Sequence, residues 1–158
     1  MKSSQGTSLM AGLVATLVNL PMMYFVSPYE AGPMDLAAPL EAWLGGSWIA
    51  GTVAHLVISA VVLPAVYARF ICRRLPGIPA ARGVAWGMFL WIVTQTVVVP
   101  AMGAGFFTAW SGGFAASMSS LIVHLVYGLV FGVLAGGPRR AVPYPRYAFR
   151  TAEAAHAG

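Results

Sequence analysis

Charge is what this chain has least of. Only 8% of its 158 residues are Asp, Glu, Lys or Arg, about a third of the roughly 25% in an ordinary soluble domain. That shortage argues against a soluble enzyme, a nucleic-acid-binding module or a disordered chain. Cysteine is nearly absent as well: the single Cys72 excludes an internal disulfide framework and a thiolate zinc site within the chain. Against these shortages stand 59% hydrophobic residues and a mean hydropathy of +0.78. The composition is that of a membrane protein, and the net charge of +5 has to be read in that setting.

A spanning helix needs about 20 mostly apolar residues, because hydrocarbon offers its backbone no hydrogen-bond partners. The sequence predicts four such spans, at about Thr7–Val26, Gly46–Ala68, Gly83–Gly103 and Ala115–Ala135, none containing Asp, Glu, Lys or Arg. The expected fold class is therefore all-α, a four-helix transmembrane bundle over residues 1–137, followed by a tail, 138–158, rich in Arg, Pro and Tyr. The first run imitates a signal peptide, with Lys2 before it. Its length and the lack of a small-x-small cleavage site predict a retained helix.

Orientation follows from the basic residues. Lys2 precedes the first span, Arg69, Arg73, Arg74 and Arg82 separate the second from the third, and Arg139, Arg140, Arg146 and Arg150 follow the fourth. The other two connections hold no Lys or Arg, and the first carries Glu30, Asp35 and Glu41. The positive-inside rule then places both termini on the cytoplasmic side. Tyr24, Tyr29, Trp43, Trp48 and Trp110 fall near the outer boundary, where amphipathic rings suit the headgroup layer.

Polar residues inside the spans are few and fall at one level. His55-Leu56-Val57 aligns with His124-Leu125-Val126, each histidine about nine residues from the outer end of its helix, or some ~13 Å deep. This predicts two pseudo-repeated helical hairpins related by an axis along the membrane normal. Asn19 and Gln95, the latter flanked by Thr94 and Thr96, reach nearly the same depth from the other two helices. Polar groups in hydrocarbon turn inward and find partners, so an inward-facing layer of Asn19, His55, Gln95 and His124 is expected. Ser47, Gly51, His55 and Ser59 recur every four residues, as do Ser120, His124, Gly128, Gly132 and Gly136. Such stripes let helices, or a flat ligand, come close to the backbone.

This layer has two readings. In the first it packs the bundle through His–Asn and His–Gln hydrogen bonds. In the second, His55 and His124 on diagonal helices ligate a haem b, with Asn19 and Gln95 holding the second ring nitrogens and the glycines making room for the macrocycle. A lesser variant uses Met22, Met23, Met102 and Met118 as soft ligands for copper transport. No carboxylate or lysine enters a span, which leaves no charged relay, and no nucleophile is paired with a base and an orienting acid. Cys72 beside Arg73 and Arg74 reads as an incidental thiol at the inner surface.

The run Val123-His124-Leu125-Val126-Tyr127-Gly128-Leu129-Val130-Phe131-Gly132 resembles the glycine-rich, histidine-bearing last helix of small bacterial four-helix inner-membrane proteins. Those families are largely of unknown function, some associated with respiratory oxidases, so the resemblance implies a respiratory setting and carries over no catalytic residue. The expected function is a non-catalytic accessory subunit of a larger membrane complex, respiratory or electron-transferring, with other membrane subunits and lipid as partners and no nucleic acid. The alternatives are a bis-histidine haem b electron carrier and an oligomeric carrier of a small solute or copper. Pro39 through Trp43 predicts a short helix on the outer face, where the acidic loop suits a basic soluble partner.

Overall fold

In the computed structural model the described residues are 5–23 and 38–136, and among them there are helices and turns but no strand. Helix α1 covers Gln5–Pro21. A short helix α2, Ala38–Glu41, continues into a 3-10 turn, Ala42–Leu44, where a surface helix is expected. Three long helices follow: α3 at Trp48–Ile71, α4 at Pro79–Ala101 and α5 at Gly113–Ala135. Tyr24, Tyr29, Glu30, Asp35 and the tail 138–158 lie outside the described residues.

Among the described residues three helices, α3, α4 and α5, are long and apolar enough to cross a membrane, against four expected spans. The α-helical stretch of α1 is 17 residues long and continues as a π turn through Met23, while residues 24–26 of the expected span lie outside the described residues. The helix boundaries also move toward the basic segment. Ile71 rather than Ala68 ends α3, which therefore includes Arg69, and Pro79 opens α4, drawing Arg82 into its first turn. Proline is well placed there, because its fixed φ suits a helix start and its missing N–H has no helical partner at that position. Arg82 was expected in a connection; it is a buried helical residue.

Helix direction follows from which ends meet. Tyr67, late in α3, packs on Trp86, early in α4, and on Phe131, late in α5. Asn19, late in α1, reaches the backbone of Val123 in the first half of α5. Consecutive long helices therefore run antiparallel, and α3 and α5 run parallel. Helix α5 lies between α1 and α4, while α1 also lies along the middle of α3.

The closest approach in the molecule is between α4 and α5. A Cβ on Gly128 would come within 2.9 Å of the Gly87 Cα, and one on Gly132 within 2.7 Å of the Gly83 nitrogen. Two small-xxx-small pairs, Gly83/Gly87 and Gly128/Gly132, thus let the backbones touch. On the other side Gly12 of α1 seats the Pro64 ring of α3. Where α3, α4 and α5 converge, Tyr67 and Phe131 meet edge to face at 4.9 Å, both at most 1% exposed. Aromatic pairs of this kind contribute about 0.5–1.5 kcal/mol beyond their burial.

The long helices α3 and α4 contain three π turns among the described residues: Tyr67–Ile71 ends α3, and Ile58–Val62 in α3 and Thr94–Val98 in α4 interrupt the helices midway. Each of the two midway turns closes just before a proline, Pro64 and Pro100. A proline removes one donor and crowds the carbonyl four residues earlier, and widening the preceding turn by one residue relieves that crowding. In α3 the Leu63 N–H bonds to Ile58 instead of Ser59, and Pro64 has no N–H to give. The carbonyl of Ser59 is thereby released from the helical ladder.

Candidate functional site: a polar layer around one small cavity

The first half of α5 is a rail of carbonyls with extra donors. Ser117 O accepts from the Trp91 indole at 3.1 Å, Ser120 O from His124 Nδ1 at 2.7 Å, and Val123 O from the Asn19 amide at 3.0 Å. A carbonyl can only accept, so Nδ1 of the neutral His124 ring carries the proton. Nε2 is then the acceptor for the Thr94 hydroxyl, 3.3 Å away. Both ring nitrogens of His124 are engaged within the chain.

His55 is placed differently. It stands half-buried on α3 and, with Thr16, Asn19, Leu20, Met23, Leu56, Ser59 and Tyr127, lines a cavity of about 20 Å3 between α1, α3 and α5. The floor of this cavity is pinned where Tyr127 donates its hydroxyl to the freed carbonyl of Ser59 at 2.6 Å. A single water needs about 10–15 Å3 of such space. The Oδ1 of Asn19 is buried without a partner, which suits that occupant.

The expected partnership of the histidines with Asn19 and Gln95 is not what forms. Asn19 spends its amide on the α5 backbone, and Thr94 rather than Gln95 meets His124. Gln95 is 1% exposed, and its Oε1 has no partner. It lies in the π turn and is buried, as expected of an inward-facing residue, but its neighbour Thr94 is the one that meets His124. Gly128 and Gly132, offered to a macrocycle edge, are filled by the α4 backbone. Sequence reasoning passed over Gly83 and Gly87, although their four-residue spacing beside the matching pair on α5 was the available signal.

A drug-sized or larger ligand needs on the order of 300–1,000 Å3, far more than this cavity holds. Among the described residues no group of three or more His, Cys, Asp or Glu side chains is arranged to hold a metal. As folded, the layer can tie helices together and hold a water beside His55.

No characterised protein and no solved structure matches the chain. Residues 3–140 match a family of unknown function, DUF6789, and the chain belongs to that family.

Proposed function

We propose that this protein is an integral, non-catalytic accessory subunit of a larger respiratory or electron-transfer complex. In this proposal it crosses a bacterial inner membrane four times, as two repeated hairpins with both termini in the cytoplasm. The observation that carries the reading is the way the polar layer is spent. His124 is held at both ring nitrogens and Asn19 by the α5 backbone, so these groups join helices instead of facing a substrate-sized space. The respiratory setting rests on the resemblance of the last helix alone. Extraction in a mild detergent, native sizing and identification of co-purifying proteins test it. A stable complex with other membrane subunits is expected; a lone 16.6 kDa monomer or a simple homo-oligomer would overturn it.

One observation favours a bis-histidine haem b carrier instead: His55 shares its cavity with Asn19, whose amide reaches the carbonyl of Val123, next to His124. That reading requires Thr94 to release His124 and the glycine contact of α4 with α5 to open. A visible spectrum after expression with ample haem decides it, a reduced α-band supporting the carrier and its absence removing it.

A further inference from the structure

Arg82 is buried where Arg69, Arg73 and Arg74 are exposed. It is 9% exposed, and its Nε and Nη1 have no acceptor. One helical turn further along α4, the indole N–H of Trp86, 2% exposed, has none either. Tyr67 packs on Trp86 at 5.8 Å and lies within electrostatic range of Arg82. A guanidinium cannot discharge itself by losing a proton, and a buried cation without a counter-ion is strongly unfavourable. Among the described residues the only carboxylate is Glu41, which precedes the opposite end of α3. The site holds several unspent N–H donors, and among the described residues it lacks an anion.

We propose that Arg82 and Trp86 bind the phosphate of an anionic phospholipid at the arginine-bearing end of the bundle. A guanidinium fork matches phosphate oxygens, and the exposed Arg69, Arg73 and Arg74 nearby in sequence draw anionic lipid to this end. The flank is suitably apolar. Phe89 stacks on Trp86 at 5.4 Å and is 51% exposed, a surface along which an acyl chain lies. The phosphate then takes up the donors that the helices leave free.

The test uses the full-length protein in detergent, with native mass spectrometry and the unfolding midpoint as readouts. Phosphatidylglycerol is expected to stay bound and raise the midpoint, whereas phosphatidylcholine and inorganic phosphate do neither. Arg82→Gln should weaken retention of phosphatidylglycerol by about tenfold or more, the loss expected when a charge-assisted hydrogen bond goes. Trp86→Phe, which keeps the ring and loses the N–H, should weaken it by a few-fold. Arg74→Gln and Glu153→Gln, the latter at the one acidic side chain of the tail 138–158, should change it less than about twofold. An equal effect of Arg74→Gln would reduce the site to general surface charge and overturn the proposal. An equal rise in midpoint with inorganic phosphate would make the ligand a soluble oxyanion, and a Glu153→Gln variant that loses stability yet retains more phosphatidylglycerol would put the chain's own tail carboxylate in the site; either would overturn the proposal. Should Arg82→Gln fail to fold, Arg82→Lys and Trp86→Phe carry the test, and undiminished retention in both would end the idea.

Discussion

The hydroxyl of Tyr127 on α5 satisfies the carbonyl of Ser59 on α3, the one that the π turn and Pro64 together leave without a backbone donor. A defect in one helix is thus repaired by a side chain from another, and the cavity beside His55 takes its floor from the repair. Tyr127→Phe keeps the ring packed on Phe131 and strands a buried carbonyl. We expect a loss of about 1–3 kcal/mol, read as a lower midpoint of unfolding in detergent. An unchanged midpoint would mean that the contact adds nothing.

The two histidines should separate by their effect on stability. His124→Leu removes the partners of Thr94 and of the Ser120 carbonyl, and about 1–3 kcal/mol of destabilisation is expected. His55→Leu faces a space large enough for a water and should stay within about ±0.5 kcal/mol. If His55→Leu proves the more damaging, the assignment of His124 as the structural histidine fails.

The glycine contact can be probed from either helix. Gly83→Ala drives a methyl group into the backbone of Gly128 and Gly132 and should cost about 1–3 kcal/mol by overpacking. Ala85→Leu, on an exposed position of the same helix, should be nearly silent. Comparable losses from both would point to helix propensity or lipid solvation in place of backbone contact.

Much of this was legible in the sequence. The apolar runs located α3, α4 and α5, and Pro39 marked the short helix α2. The inward burial of Asn19 and Gln95 was readable too, since polar groups in apolar spans turn toward other helices. Their partners were harder to read. Gln95 fell in a π turn, and no hydrophobic pattern announced that Thr94 would meet His124 instead. Arg82 misled for another reason: a charged residue is normally a boundary marker, and here Pro79 started the helix early enough to bury it.

Orientation is open to a direct check. In a Cys72→Ser background, a cysteine at exposed Leu44 should react with an impermeant label from outside the cell. One at exposed Pro76 should react only after the membrane is opened. The reverse pattern would turn the protein over.

The π turn in α3 also acts as a phase corrector. His55 and Tyr67 are twelve residues apart, which in an unbroken α-helix would set them about 120° apart around the axis. The turn at Ile58–Val62 absorbs one residue, leaving an effective spacing of about eleven, close to three full turns, and the angle shrinks to roughly 20°. One inserted residue therefore lets the same stripe of α3 present His55 to the cavity and Tyr67 to the aromatic contact with Phe131. Deleting a single residue from that turn would leave both side chains in the chain and make them face different neighbours.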